Sequence, residues 1–145
     1  MKIVVQRVKE AQVETNGEIV GKIKKGLFVL LGVAKGDREE KAIFLAEKLA
    51  KLRVMADDND KMNLSVNEVK GAVLVVSQFT LYADTQGGNR PSFIDAAEPE
   101  IAKSCYEAFI KRLRDLGLEV ETGRFGSYMN IKALLDGPVT IIIEK

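Results

Sequence analysis

The feature that most constrains the fold is the segment from Ala72 to Asp84. It begins with an uninterrupted apolar run that ends at Val76, and such a short run predicts a strand buried on both faces. Polar residues follow at Ser77, Gln78 and Thr80. Because buried polar groups need hydrogen-bond partners, these side chains either cap the strand by bonding to nearby backbone or line a pocket at its end, where binding sites are common.

The first third of the chain has the signals of a β-meander. Alternating apolar residues predict strands over residues 3–8 and 11–14. Asn16-Gly17 predicts a two-residue hairpin turn, because both turn positions need a positive φ. Residues 18–23 then return as the partner strand, and the apolar stretch over residues 27–33 predicts a buried strand.

Two helices are predicted from apolar residues at helical spacing. Asp37 has the character of an N-cap, with Glu40 completing a capping box, and the helix that follows is expected to end near Arg53. Pro99 suits the first turn of the second helix. Gly117 is a natural C-terminal stop for it.

The C-terminal part predicts short strands separated by turns. Strands are expected over residues 120–123, 128–131 and 141–143, with a turn at Asp136-Gly137-Pro138, where an Xaa-Pro bond makes a cis peptide accessible. The sequence therefore predicts one α+β domain over residues 1–145. Its sheet is expected to be mostly antiparallel and barrel-like, with two main helices.

Composition limits the chemistry available to this chain. It has no histidine and a single cysteine, Cys105. Histidine is the usual general base and a common metal ligand, so Ser-His and Cys-His nucleophiles and zinc sites built on histidine are excluded. Cys105 lies on the apolar stripe of the second helix, which favours a core residue over a nucleophile. We expect no metal and no cofactor, so an enzyme of this kind must use carboxylate, lysine, hydroxyl or backbone groups, or chemistry from its substrate.

The charge balance also limits the partners. The formal net charge is +1, so any RNA binding needs a local basic patch. Lys22, Lys24 and Lys25 form a modest cluster, which more often marks a solvated face. No apolar run approaches the length of a membrane span, and the N-terminal stretch is too short for a signal peptide. We therefore expect a cytoplasmic protein with neither a membrane nor DNA as its partner.

Two motifs in the second half carry a family resemblance. They are Ser77-Gln78-Phe79-Thr80-Leu81 and Asp136-Gly137-Pro138-Val139-Thr140, and with the order of several shorter stretches they resemble the D-aminoacyl-tRNA deacylases over essentially the whole chain. The shorter stretches are Val5-Gln6-Arg7-Val8, Leu30-Leu31-Gly32-Val33, Lys61-Met62-Asn63, Arg90-Pro91-Ser92-Phe93 and Gly123-Arg124-Phe125-Gly126. One departure is Leu135, where the family usually has asparagine.

The resemblance implies a homodimer that hydrolyses the ester between a D-amino acid and the terminal adenosine of tRNA, and that also removes glycine wrongly attached to tRNA. It implies that Ser77, Gln78, Phe79 and Thr80 shape the pocket. Gly137 and Pro138, joined by a cis bond, enter it from the partner subunit and exclude L side chains. The resemblance further implies that the 2′-hydroxyl of the terminal ribose assists hydrolysis. Because Thr80 has no evident base, a role in holding the ester carbonyl is favoured over a role as nucleophile.

Two other functions are compatible with a fold of this kind. An RNA-binding module without catalysis would need a dense basic face with exposed aromatic residues, and this chain has few aromatics and almost no net charge. A metabolite-binding or structural dimer has no positive sequence feature beyond the fold. We therefore rank both below the enzyme.

Overall fold

The computed structural model describes residues 1–145 as an α+β fold with a nearly closed, barrel-like sheet and two helices. This confirms the predicted fold class. The strands are β1 (Lys2–Thr15), β2 (Glu18–Ile23), β3 (Gly26–Gly32), β4 (Met55–Ala56), β5 (Met62–Leu64), β6 (Ala72–Ser77), β7 (Glu119–Thr122) and β8 (Asn130–Glu144). The helices are α1 (Glu39–Ala50) and α2 (Pro99–Asp115), and a short 3₁₀ helix spans Phe79–Tyr82. No helix is both long enough and apolar enough to cross a membrane.

The long strand β1 organises the sheet. Its first half pairs antiparallel with β3, its second half pairs antiparallel with β2, and β8 pairs antiparallel along most of its length. The strand order β2-β1-β3-β6-β7 contradicts the predicted β-meander, because β1 lies between β2 and β3. The two predicted segments, 3–8 and 11–14, are the two halves of this one strand. The Asn16-Gly17 turn is confirmed, since both residues have positive φ.

Strand β6 is buried on both faces, as its apolar run predicts. It pairs in parallel with β3 on one side and with β7 on the other. Val73 and Val75 belong to the main core, which the two helices cover, whereas Leu74 and Val76 belong to a second cluster on the other face of the sheet. Each buried aliphatic side chain contributes about 1.5–3 kcal/mol to the free energy of folding. Side chains on both faces of β6 therefore stabilise the strand, each face within a different core.

Helix α1 does not have the predicted cap. Its N-cap residue is Arg38, whose side chain makes no capping hydrogen bond, and the helix ends at Ala50 rather than near Arg53. The Asp37 carboxylate is buried and instead accepts hydrogen bonds from the Ala34 N–H and the Lys41 ammonium, each at 2.7 Å. It also lies 2.6 Å from the Met1 α-ammonium. The stronger charged partners therefore take the carboxylate away from the helix end.

Substitution of Asp37 tests this buried ion pair. We expect Asp37→Asn to lower the free energy of unfolding at pH 7 by about 3 kcal/mol, because it leaves a buried α-ammonium without a counter-charge. Burial opposes ionisation of Asp37, but the bonds from Lys41, the α-ammonium and Ala34 outweigh it, and the pKa of Asp37 is lowered. A lowered pKa means that the stabilisation is complete above the unfolded carboxyl pKa of about 3.9 and is lost as the pH falls through the folded value. Urea unfolding of both proteins at several pH values measures the difference.

The matched control is Asp115→Asn, which removes an exposed carboxylate 2.6 Å from Lys111. Such exposed pairs contribute little, so we expect a change within about 0.5 kcal/mol. A difference between Asp37→Asn and the unchanged protein that grows in acid would contradict the assignment.

The prediction of a chain-reversing turn at Asp136-Gly137-Pro138 is wrong. These residues lie within β8, which continues from Asn130 to Glu144 beside β1. The chain does not reverse there. Instead the pairing register shifts, since Gln6 pairs with Thr140 whereas Val8 pairs with Leu135, so extra residues of β8 bulge outward. The Gly137–Pro138 peptide bond in this bulge is cis.

Candidate active site

A cavity of about 740 Å³ opens where β6 ends. Val76, Ser77, Gln78 and Phe79 form one wall, and Leu31 and Val33 of the neighbouring β3 segment continue it. Most of the lining is apolar. Of the two interpretations of the polar residues after β6, the cavity favours a pocket lining for Ser77 and Gln78.

Backbone pairing fixes the position of the first motif. Ser77 pairs with Leu31 at the end of the parallel ladder, and the Gln78 N–H donates to the Leu31 carbonyl at 2.7 Å. The chain then turns into the 3₁₀ helix. Thr80 is exposed and is not among the residues that line the cavity of a single chain; its hydroxyl accepts a hydrogen bond from the Gln78 side-chain amide. The structure therefore places Ser77, Gln78 and Phe79 at the cavity and Thr80 beside it.

Gly32 allows the 3₁₀ helix to lie close to β3. A Cβ at this position would be 3.0 Å from Leu81 Cβ and 3.1 Å from the Gln78 carbonyl oxygen. Both distances are shorter than an ordinary van der Waals contact. A glycine at this position is therefore what brings the first motif against the end of β3.

The opposite wall is built from two segments that the sequence analysis did not assign to the site. The start of α2 contributes Glu98 and Ala102, and the segment between β7 and β8 contributes Phe125. Phe93 closes the rim, with its ring centroid 5.0 Å from that of Phe79 in an edge-to-face arrangement. The available signal was the placement of Phe93 and Phe125 in polar or glycine-containing loops, outside every apolar stripe.

Tyr106 holds α2 against the strand that carries the first motif. Its buried hydroxyl donates to the Val75 carbonyl at 2.8 Å, and burial raises the pKa of Tyr106 to about 12. Cys105, next to it, is also buried, and burial raises the pKa of this thiol. Neither group is poised to act as a base or a nucleophile near neutral pH.

The cavity offers few groups for acid–base chemistry. Glu98 and Tyr128 are the only titratable residues among those that line it, and no lysine or arginine does. No group of three or more carboxylate or thiol side chains that could hold a metal ion occurs in the chain. The arrangement can bind and orient an apolar or uncharged ligand through backbone, hydroxyl and amide groups.

The second motif lies elsewhere on the same chain. Gly137 and Pro138 are exposed and do not line the cavity. Arg7 holds the bulge, since its Nε donates to the Asp136 carbonyl at 3.2 Å and lies 3.1 Å from the Asp136 carboxylate. Its Nη1 also donates to the Val54 carbonyl at 2.9 Å.

The two motifs lie toward opposite ends of β3. Arg7, beside the bulge, pairs with Leu27, whereas Ser77 pairs with Leu31. Four residues of strand correspond to roughly 13 Å. One chain thus brings together the residues of the first motif but does not bring Gly137 and Pro138 to them.

The family model for D-Tyr-tRNA(Tyr) deacylase matches residues 4–144. Proteins named D-aminoacyl-tRNA deacylase are similar over nearly the whole chain. The protein from Halalkalibacterium halodurans is 53% identical, with 99% of each chain covered. The protein from Desulfatibacillum aliphaticivorans is 54% identical, again with 99% of each covered. The protein from Thermosipho melanesiensis is 52% identical, with 99% of this chain and 97% of that protein covered.

Two solved structures share the fold. One, named c-Myc DNA Unwinding Element Binding Protein, superposes with a TM-score of 0.93 at 38% identity and covers 100% of this chain and 99% of its own. The other, described as a probable eukaryotic D-amino acid tRNA deacylase, has a TM-score of 0.84 at 15% identity over 98% of this chain and 97% of its own, which supports the fold alone. Together with the match over residues 4–144, these findings show that the chain belongs to the D-Tyr-tRNA(Tyr) deacylase family.

Proposed function

We propose that this protein removes D-amino acids, and wrongly attached glycine, from tRNA in a pocket that two copies of the chain complete. The coarser part follows from the family: the chain is a hydrolase that deacylates D-aminoacyl-tRNA. The observation that carries the finer proposal is the separation of the two motifs within one chain. A cytoplasmic location, where aminoacyl-tRNA is made and used, is part of the proposal.

A second copy of the chain is the natural source of the missing wall. Strand β8 pairs only with β1, so its other edge has free backbone donors and acceptors along its length. Leu134, Leu135 and Ile142 on this strand are 54%, 42% and 65% exposed. An exposed apolar edge of this kind favours pairing with another chain. Pairing through β8 would carry Gly137 and Pro138 out of their own subunit toward the partner's cavity.

The proposed role of Gly137 and Pro138 is to exclude L side chains. Both residues are exposed, and Gly137 has no side chain, so backbone carbonyls can approach a bound substrate closely. With this wall facing the α-carbon, a D-amino acid directs its side chain away, whereas an L-amino acid drives its side chain into the wall. Rejection then comes from a clash with a fixed group. Glycine has no side chain to clash, which is why mischarged glycyl-tRNA should also be hydrolysed.

The proposed chemistry is hydrolysis assisted by the substrate's own 2′-hydroxyl. Within the cavity, Ser77 and Gln78 offer hydrogen bonds but no base of neutral pKa, and Thr80 bonds to Gln78. These groups and nearby backbone N–H groups can hold the ester carbonyl as charge develops on its oxygen. Positioning of this kind supplies a large share of a rate enhancement without a protein nucleophile.

Hydrolysis of paired enantiomers tests the proposed function. We expect D-tyrosyl-tRNA to be deacylated more than about a hundredfold faster than L-tyrosyl-tRNA, which corresponds to a clash of roughly 3 kcal/mol. Glycyl-tRNA should be hydrolysed at a rate between the two. The measurement is the loss of ester-linked radiolabelled amino acid from each tRNA at matched enzyme concentrations.

The control for spontaneous ester loss is each aminoacyl-tRNA incubated without protein. Equal turnover of the two tyrosyl enantiomers would contradict the chiral wall. Tight binding of either tRNA without ester loss would instead favour an RNA-binding module.

A further inference from the structure

The arginines of this chain divide into bonded and free groups. Of seven arginines, four have a guanidinium that donates to a protein acceptor: Arg7, Arg53, Arg112 and Arg114. The other three, Arg38, Arg90 and Arg124, make no side-chain hydrogen bond and no ion pair, and all three are exposed. Most guanidinium groups are thus used within the fold, and few remain to bind an anion.

Two of the three free arginines lie in segments that contribute residues to the cavity lining, although neither arginine lines the cavity itself. Arg90 lies in the loop that leads to Phe93, and this loop is closed by paired backbone hydrogen bonds of 2.8 Å between Asp84 and Ser92. Arg124 directly precedes Phe125, which lines the cavity wall. The backbone around Arg124 is held in place, because the Gly123 N–H donates to the Val75 carbonyl at 3.1 Å and the Ser127 N–H donates to the Arg124 carbonyl at 3.2 Å.

The cavity itself offers no cationic side chain to a phosphate. Its lining is mostly apolar, contains no lysine or arginine, and includes the carboxylate of Glu98 at the start of α2. A phosphate inside the cavity would face the Glu98 carboxylate without a cationic partner, so we expect the RNA phosphates to lie outside the cavity. Arg90 and Arg124 belong to the two rim segments that carry Phe93 and Phe125, and they are where a phosphate would find charge-assisted hydrogen bonds.

We propose that Arg90 and Arg124 bind phosphates of the 3′-terminal nucleotides of the RNA while the terminal aminoacyl-nucleoside occupies the cavity. The planar guanidinium matches phosphate geometry with two parallel hydrogen bonds. With a formal net charge of only +1, the protein has no strong overall field to attract RNA, so local contacts must supply the attraction. This inference rests on the proposed function and names the residues that bind the RNA backbone for it.

Comparison of two substrates tests the arginines. One substrate is D-tyrosyl-tRNA, and the other is 3′-O-(D-tyrosyl)adenosine, which has the same ester and nucleoside but no phosphate. We expect Arg90→Ala and Arg124→Ala each to lower kcat/KM for the tRNA about tenfold or more, as the loss of a charged hydrogen bond does. The same variants should change kcat/KM for the adenosine ester less than about threefold, since that ester makes no phosphate contact.

Salt dependence gives a second readout. Each phosphate contact to single-stranded nucleic acid contributes a slope of about −0.7 to the logarithm of affinity against the logarithm of salt concentration. Each arginine variant should therefore make the slope shallower by about 0.7. The Arg90→Lys and Arg124→Lys variants keep the charge, so they should retain the slope while losing part of the affinity.

The control is Lys48→Ala, which removes one positive charge from the exposed side of α1, away from the cavity. It should leave both substrates and the salt slope unchanged. Equal losses of activity on tRNA and on the adenosine ester would overturn the proposal, because they would mean that the arginines shape the cavity. An effect of Lys48→Ala as large as those of the arginine variants would overturn it as well. An unmodified protein that hydrolyses neither ester would contradict the proposed function itself.

Discussion

We expect hydrolysis of D-tyrosyl-tRNA to slow at least about a hundredfold when the terminal adenosine lacks its 2′-hydroxyl and carries the amino acid on its 3′ oxygen. A loss of this size is within the usual contribution of an acid–base group. The physical reason is that the protein offers few groups to replace this hydroxyl, since Glu98 and Tyr128 are the only titratable residues that line the cavity. The chain has no histidine, Cys105 is buried with a raised pKa, and the cavity contains no lysine. Single-turnover hydrolysis of both esters at saturating protein measures the chemical step directly.

Thr80→Val tests the role of the Thr80 hydroxyl in the same reaction. It removes the hydroxyl that accepts the Gln78 hydrogen bond while keeping the shape of the side chain. If Thr80 only helps to hold the ester, the variant should lose about tenfold in rate, as for a single hydrogen bond in a polar site. Isolation of a covalent aminoacyl-Thr80 intermediate would contradict hydrolysis assisted by the RNA. So would an unmodified protein that hydrolyses the 2′-deoxy substrate as fast as the ribose substrate.

Gly137→Ala is expected to have the second large effect. Gly137 has a φ of +134°, and a Cβ there would be 2.8 Å from the Val139 nitrogen and 2.9 Å from its Cγ2 atom. The bulge of β8 must therefore move, because the atom nearest to the added Cβ belongs to the backbone and cannot rotate away. If this loop forms the chiral wall, we expect the ratio of D to L hydrolysis to fall at least about tenfold, which is some 1.4 kcal/mol of lost discrimination. The D and L rates measured on the same protein give the ratio.

Gly117→Ala is the control for backbone strain alone. Gly117 follows α2 with a φ of +84°, and a Cβ at this position would meet no atom within 4 Å. This variant should lose about 1 kcal/mol of stability and keep the unchanged ratio of D to L hydrolysis. If the Gly137→Ala protein leaves L-tyrosyl-tRNA intact to the same degree as the unmodified protein does, the proposal that this segment excludes L side chains is contradicted.

Mixing two defective chains tests whether the wall comes from the partner. A Gln78→Ala chain has a damaged pocket and an intact loop, and a Gly137→Ala chain has the reverse. In a two-fold symmetric dimer, an equal mixture should form mixed dimers with one intact site, giving about a quarter of full selective activity. If each pocket and its wall came from one chain, mixing would restore nothing.

The strands and helices were largely predictable because their signals are local. The apolar run of β6, the Asn16-Gly17 turn and the Pro99 start of α2 are all where the sequence indicates. The errors arose where distant partners decide the outcome. Asp37 bonds to the Met1 α-ammonium rather than capping α1. Strand β8 continues through the bulge at Gly137 because its residues before and after the bulge both pair with β1.

The candidate site was predictable only in part. The polar residues after a buried strand left a cap and a pocket lining both open for Ser77 and Gln78, the family resemblance favoured the pocket, and the structure places both residues at the cavity. Phe93 and Phe125 were not assigned to the site because the cavity joins loops that are far apart in sequence, and their placement in polar or glycine-containing loops was the only local signal. The positions of Gly137 and Pro138, away from the cavity of their own chain, could be learned only from the fold.

The burial of β6 between two cores determines how firmly the cavity wall formed by Val76, Ser77, Gln78 and Phe79 is held. From Ala72 to Val75, β6 has parallel neighbours on both sides and apolar contacts on both faces. Beyond Val75 it pairs only with β3. The amide hydrogens of residues 72–75 are then expected to exchange with solvent only when the whole molecule unfolds. Ser77 and Gln78 thus follow directly after the most slowly opening part of the strand. The wall formed by Ser77 and Gln78 is therefore anchored to a firmly held strand before any substrate arrives, and the adjustable parts of the site would be its rim and the wall proposed to come from a second chain.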